Sequence, residues 1–507
     1  MQKKWPLALA GSASVGASLG VAELAAGLVS TVPSLVESIG GVVIDNVPTA
    51  VKDFAIATFG TNDKTVLVVG ITVVALVLGG VIGIVAGQRW WAAVVVFTGF
   101  GVLGAAAAVS RRESVAGSVV AAAVVAAAGS ISLRCLHRRA GVSGEGVGPP
   151  PDPTRRAFVA SVGAVLGLAA LSAGAGRALW ERGRRAVAGR EEVVLPIPAE
   201  VPAAPPSGSS LAVTDLTDLI TPNDRFYKID TSLSTPQVDL ETWTVAVTGM
   251  VERPYEMSFG ELLDMDLVER YITLTCVSNE VGGSLIGNAK WLGVPLADVL
   301  TRARVAEGAD QVVGRSVDGF TVGFPTSAVF DGREALLAVG MNDEALPFDH
   351  GFPARLVVAG LYGYVSATKW LAEIELTTWD AFDAYWVPRG WSKEGPIKTQ
   401  SRIDTPRDGA VVGSEPRTVA GMAWAPNRGI AAVEVELDGV WVEAELAESL
   451  DDDCWRQWRV EWVPTPGSHR IRVRATDADG ETQTSDLARP APDGATGWHT
   501  VGVTVEA

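Results

Sequence analysis

Cys276 ends the run Tyr271–Cys276 (YITLTC), in which Ile272, Leu274 and Cys276 alternate onto one face of an expected strand. A polar, glycine-rich stretch follows it, VSNEVGGSLIGN. A thiolate where a strand opens into flexible backbone can ligate a soft or high-valent metal, or act as a nucleophile. His350 lies in PFDHGFPAR (Pro347–Arg355), so a Cys–His pair for covalent catalysis is conceivable. The plainer reading is a small buried cysteine and a hydrogen-bonding histidine, and these two residues alone favour it. Cys135 and Cys454 stand far from Cys276, so there is no CxxC zinc pair, no CxxCH haem attachment and no disulfide framework. HExxH and Walker sequences are also absent.

Four regions must position these groups. The chain has 507 residues, too many for one ordinary domain, and a mean hydropathy of +0.25 that is high for a soluble protein. Residues 1–192 read as a membrane region with five apolar spans: Trp5–Val29, Thr65–Gly87, Trp90–Val109, Ser114–Leu133 and Ala157–Gly176. Each is close to the roughly 20 residues a helix needs to cross hydrocarbon. Thr31–Asn62, with scattered charges and two prolines, reads as an interfacial loop. GFGVLG in the third span (Gly99, Gly101, Gly104) matches a dinucleotide fingerprint by letter but follows no strand, so small-residue helix packing is the better reading.

Residues 193–213 form a Pro/Ala/Ser-rich linker, expected to be an extended tether. Residues 214–400 mix strand-like and helix-like runs and read as an α+β domain. Residues 401–507 carry short strands divided by turns such as Asp438-Gly439, which suggests an all-β immunoglobulin-like sandwich with Cys454 as a structural cysteine. The expected fold is therefore multi-domain: an all-α transmembrane bundle, an α+β domain and a sandwich.

Charge divides along the same line. Residues 1–200 carry 17 basic and 12 acidic side chains, and the rest 24 and 46, so the second part has no basic footprint for nucleic acid. Lys3 and Lys4 before the first span and Arg134, Arg138, Arg139, Arg155 and Arg156 before the last place the N-terminus in the cytoplasm and the C-terminal part outside the plasma membrane. Arg111, Arg112 and the arginines after the last span run against that orientation. TRRAFV (Thr154–Val159) resembles a twin-arginine export motif, which would carry a folded domain across; an ordinary stop-transfer helix explains it equally well.

Five stretches, in order, resemble the sulfite-oxidase family: TPNDRFY (Thr221–Tyr227), LTCVSNEVGG (Leu274–Gly283), NAKWLGVPL (Asn288–Leu296), HGFPARLVV (His350–Val358) and YGYVSATKWL (Tyr362–Leu371). The resemblance makes 214–400 a molybdopterin-binding oxidoreductase domain and 401–507 its dimerisation domain, which implies a homodimer. It implies a molybdenum pyranopterin dithiolene cofactor with Cys276 as metal ligand and catalytic residue. Asn223, Phe226 and Tyr227 would lie along the pterin, His350 and Arg355 at its ring and phosphate, and Ser366, Thr368 and Lys369 in the loop closing on it. The implied reaction moves an oxygen atom between metal and substrate with two-electron redox.

The sequence departs from the family where an oxyanion would be bound. Ile229 stands at an arginine position after the TPN motif, beside Lys228 and Asp230, and Asn279, Glu280 and Val281 follow the cysteine where arginines are expected. A carboxylate there would repel sulfite, so sulfite itself is not the expected substrate, and methionine sulfoxide is a neutral alternative. None of the four histidines (His137, His350, His469, His499) falls in an expected span, so no bis-histidine haem site is offered. Electrons must then pass to or from a separate cytochrome or quinone-linked protein. Two other readings compete: a cofactor-free membrane scaffold of the same fold, and a cysteine hydrolase using Cys276 and His350.

Overall fold

The computed structural model describes residues 4–29, 31–48, 51, 58–59, 63–110, 114–140, 155–187 and 189–507. Arg111, Arg112 and Thr154 of the export-like motif lie outside the described residues, so the orientation and export readings that rest on them are not tested. The chain divides into two compact units, Met1–Ala188 with Thr231–Thr235, and Gly189–Asp230 with Pro236–Ala507.

In the first unit, α1 (Lys4–Leu28), α2 (Leu35–Asn46), α3 (Asp63–Ala86), α4 (Trp90–Ser110), α5 (Val115–Arg139) and α6 (Arg155–Val187) follow in order. Among the described residues, all but α2 are long and apolar enough to cross a membrane. Two expectations need correction. The stretch read as an interfacial loop contains α2, started by Ser34, whose hydroxyl accepts the Glu37 amide at 3.2 Å. The fourth span runs past Leu133 to Arg139 and takes in His137, which is buried. Basic residues in a last turn favour the helix dipole, so the polar end prolongs the helix instead of stopping it.

Small residues let the helices touch. A Cβ on Gly11 would lie 1.9 Å from the Gly79 carbonyl, and one on Gly83 2.0 Å from that of Leu7, so α1 and α3 meet backbone to backbone. Gly101 packs in the same way, its Cβ position 2.6 Å from the Ala122 carbonyl, as the packing reading of GFGVLG requires.

The second unit holds an α+β part and a β-sandwich. The α+β part has one mixed and one antiparallel sheet. One is built around Thr244–Gly249, Leu371–Thr377 and Gln311–Ser316, and the other around Val268–Thr275, Ile286–Pro295 and Ala335–Met341, with Arg355–Val358 paired to the last. Ala335–Met341 and Arg355–Val358 are buried on both faces, which is why they read as near-continuous apolar runs. The helix Phe259–Leu263 begins with a reciprocal Ser258–Glu261 capping box.

The sandwich packs a four-stranded sheet (Gln400–Thr405, Arg417–Trp424, Arg456–Trp462, Glu445–Leu446) over a five-stranded one led by Gly467–Asp477 and His499–Val505. Its core is Val419, Val433, Val435, Trp458, Ile471, Val473, Val501 and Val503. The linker expected as a free tether lies along the α+β part instead. The Ala199 amide donates to the Leu267 carbonyl at 2.7 Å, and Val193 and Leu195 pack on the core. Proline stretches favour extended backbone, and here that backbone lies alongside the Val268–Thr275 edge through a Glu200–Val268 bridge.

The same edge strand meets a turn of the sandwich. The Thr273 amide donates to the Asp453 carbonyl at 3.0 Å, the Trp455 indole to Leu219 at 2.7 Å, and the Cys454 thiol to Tyr271 at 3.3 Å. Cys454 is therefore structural. Burial, then Asp451 and Glu334, push the Asp453 carboxyl up to about 7. Its Oδ1 is buried without a partner. The folded chain thus keeps a proton that the unfolded chain loses near pH 4, and stability from this group falls as pH rises from about 4 through 7. Asp453→Asn is expected to flatten that decline and to stabilise the sandwich contact at pH 8 by about 2–4 kcal/mol. Melting curves of both proteins at pH 5 and pH 8 check this; equal gaps at the two pH values would contradict it.

Candidate active site

Cys276 falls just past the end of its strand rather than closing it, and is buried. Its amide donates to the Leu285 carbonyl at 2.9 Å, pinching the base of a loop that the Asn279 side chain braces by accepting the Leu285 amide at 2.8 Å. Burial pushes the thiol up, while the Ser278 amide and hydroxyl and the Lys369 ammonium oppose that shift. The thiol is therefore protonated in the free protein, yet faces groups that would stabilise a thiolate.

Around it the separate motifs converge. Tyr227 is half-buried in electrostatic reach of both Cys276 and Arg355; desolvation first, then the cysteine, push its phenol up. Phe226 stacks on Tyr227 at 5.2 Å and meets His350 and Trp291 edge-on at 5.5 and 5.9 Å. A Cβ on Gly363 would lie 3.8 Å from the Tyr227 hydroxyl and 3.9 Å from the Thr275 carbonyl, so the short helix Gly363–Ser366 arrives at the same place.

Arg355 opens its strand with the guanidinium buried and 5.1 Å over the Trp291 ring. It donates to the carbonyls of His350 at 3.1 Å and Leu356 at 3.3 Å. Among the described residues no carboxylate pairs with it, and burial holds it down to about 10. Lys369 is also buried and held down to about 8 by burial, but it has an acid: its ammonium lies 3.3 Å from Asp230 and donates to the Asp349 carbonyl at 2.9 Å.

His350 is held at about 4 by burial, hence neutral. Its Nε2 donates to the Asn223 carbonyl at 2.9 Å, which leaves Nδ1 as a buried acceptor with no partner. With both nitrogens so placed it is not hydrogen-bonded to Cys276, so the Cys–His hydrolase reading fails. Thr275 Oγ1 and Thr368 Oγ1 are likewise buried and unpartnered.

Two expected residues do not aim side chains into this space. The Asn223 amide donates to Met341 and Glu344 and accepts from Asn342, so it secures a neighbouring turn and offers only its carbonyl to His350. Ser366 donates back to the Leu361 and Tyr362 carbonyls. Sequence reasoning missed Ser278, Trp291, Asp230 and Thr275 as members of the cluster. Trp291 lay inside a quoted motif and Ser278 two residues after the cysteine, but nothing in a string of letters marks which side chains face inward.

The residues present fit an anionic, donor- and acceptor-rich cofactor. A buried guanidinium without a counter-charge is costly, and an anion would offset it. The orphaned His350 Nδ1 lacks a partner that burial otherwise makes expensive to omit. The thiol supplies the soft ligand.

The family described as "Oxidoreductase molybdopterin binding domain" matches residues 232–386. The chain carries a molybdopterin domain of the sulfite-oxidase family. Mitochondrial sulfite oxidase of Mus musculus is 30% identical over 291 residues, covering 48% of this chain and 52% of that protein. Nitrate reductase [NADH] of Spinacia oleracea is 27% identical over 317 residues, covering 50% and 34%. The crystal structure of the sulfane dehydrogenase SoxCD from Paracoccus pantotrophus shares the fold, with a TM-score of 0.50 at 22% identity over 60% of this chain and 89% of that one. The chain spans about half the length of the sulfite oxidases it matches.

Proposed function

We propose that the protein is a membrane-anchored molybdenum-cofactor oxidoreductase that transfers an oxygen atom, with two-electron redox, to or from a small neutral sulfur compound outside the cytoplasm. The observation that carries this reading is Arg355, a buried cation with no carboxylate partner among the described residues, which shares Tyr227 with the buried Cys276 thiol and donates to the carbonyl of His350, whose Nδ1 is unpartnered. Cys276 would ligate the metal. Arg355 would take the cofactor's phosphate as charge-assisted hydrogen bonds. His350 Nδ1 would accept from a ring N–H, with Phe226 and Tyr227 along the ring, and Lys369 and Thr368 would close over it. When bound, the cofactor supplies oxygen-atom and two-electron chemistry; the chain supplies the ligand, the orientation and a dry, charged enclosure.

The neutral substrate follows from charge. Lys369 is matched by Asp230, Ile229 is exposed and no arginine lies between Val277 and Ala289. The carboxylate expected to repel sulfite is less decisive, because Glu280 is exposed. The relatives' names point to sulfite, nitrate and sulfane, so kinship alone selects none. Electrons would be exchanged with a separate cytochrome or quinone-linked protein. His137, although inside α5, has no second histidine in the spans to form a bis-histidine haem site. The N-terminus would be cytoplasmic, the sandwich would support a homodimer, and Arg155 and Arg156 would direct twin-arginine export.

The test is molybdenum analysis of the full chain from a cofactor-competent host, followed by kinetics on sulfite and methionine sulfoxide side by side. Stoichiometric metal and a sulfoxide kcat/KM above that for sulfite are expected. Absence of molybdenum would leave the scaffold reading standing, and preference for sulfite would overturn the substrate class.

A further inference from the structure

The loop that carries Cys276 is anchored at its base by its own backbone and at its tip by the other half of the unit. Gly282 has φ +77°, and a Cβ there would lie 2.3 Å from the His499 ring at Cδ2 and Nε2. His499 opens the last strand of the sandwich, and its Nδ1 accepts the Ile403 amide at 3.0 Å, which turns the opposite ring edge toward Gly282. One residue on, the Gly283 carbonyl accepts Arg402 Nη1 at 2.7 Å. Arg402 is itself buried, paired with Asp404 at 2.6 Å and donating to Thr217 Oγ1 at 3.0 Å. Burial, then Arg402, hold His499 below its ordinary range, so the ring is neutral and its Nδ1 free to accept.

We infer that Arg402 and His499 are positioning residues for Cys276, so that the sandwich is a working part of the active site and not only an appendage to it. The physical reason is entropic. A loop with glycines at 282 and 283 has many conformations to lose, and a metal ligand must be held within about 0.5 Å of its productive place. The contacts at Leu285, with the Asn279–Cys276 and Gly283–Glu280 backbone bonds, tie the loop to itself. The guanidinium and imidazole fix the tip, from strands that the sandwich core makes rigid. The inference rests on the reading of Cys276 as the metal ligand, but its test does not depend on metal alone.

The experiment uses the full chain in detergent, with His499→Ala, Arg402→Met and Arg402→Lys. In cofactor-free protein, peptide-resolved alkylation by iodoacetamide reads thiol exposure. The Cys276 rate is expected to rise at least about tenfold in His499→Ala and Arg402→Met, with Arg402→Lys restoring much of the protection, while Cys454 stays slow in all. In the loaded enzyme the same two variants are expected to shift the Mo(V) electron paramagnetic resonance signal at undiminished metal content. Wild-type alkylation rates and an unchanged signal would overturn the inference. So would Cys454 opening in step with Cys276, because that marks a general loosening of the domain contact. A chain that takes up no molybdenum would defeat the cofactor reading, and the alkylation comparison would still decide this one.

Discussion

Cys276→Ser is expected to abolish turnover while leaving the fold intact. The exchange is nearly isosteric at a buried position whose backbone, not its side chain, closes the loop through Leu285. A serine hydroxyl fits the same space and can still meet the Ser278 donors, so little stability is at stake. What it cannot do at neutral pH is supply a soft, anionic ligand. Activity should fall by at least about a thousandfold, equivalent to about 4 kcal/mol of barrier, with a melting temperature close to wild type. Steady-state kinetics, metal content and circular-dichroism melting together make the check. A variant that turns over within tenfold of wild type would remove Cys276 from the chemistry.

Arg355→Met should move two observables in opposite directions. Arg355 is buried, lies over Trp291 and, among the described residues, bonds only backbone carbonyls. Replacing an uncompensated buried cation by an apolar side chain of similar length removes a desolvation penalty, so the cofactor-free chain is expected to gain about 1–3 kcal/mol. The same change deletes charge-assisted hydrogen bonds to the cofactor's phosphate, each worth about 1.5–3 kcal/mol. Each bond lost should therefore weaken retention by about one to two powers of ten. The molybdenum-to-protein ratio after dialysis and the apo-protein melting temperature are the two measurements. Full metal retention in this variant would show that the guanidinium holds something else. A purely structural arginine predicts the reverse on stability, a loss, so the sign of that shift discriminates by itself.

How much of this was legible in the letters differs by region. The apolar helices were visible because membrane spans are long, uniform and need no partner to be recognised. Their ends were less so: α5 runs on through His137 to Arg139 because a helix can continue into polar surroundings once its basic last turn is favourable. The expected strand Tyr271–Cys276 fell within three residues of the observed Val268–Thr275 at either end, since alternation is a local signal. The extended linker was misjudged because composition reports how a segment behaves alone, and the edge strand that receives it is more than 60 residues further along.

The sequence by itself determined that Cys276, His350, Arg355 and Lys369 occur in motifs resembling one family, and that arginines for an oxyanion are missing beside the cysteine. Those are statements of identity and order, and order survives in a string. Only the tertiary structure decided which atoms face one another. It gave Cys276 to Ser278 and Lys369 and not to His350, left Arg355 without a carboxylate while giving Lys369 to Asp230, turned the Asn223 and Ser366 side chains away, and brought Arg402 and His499 from the sandwich to the cysteine loop. These contacts join residues up to 217 positions apart, as between Gly282 and His499. Their geometry is fixed by sheet register and domain packing, which no local pattern encodes.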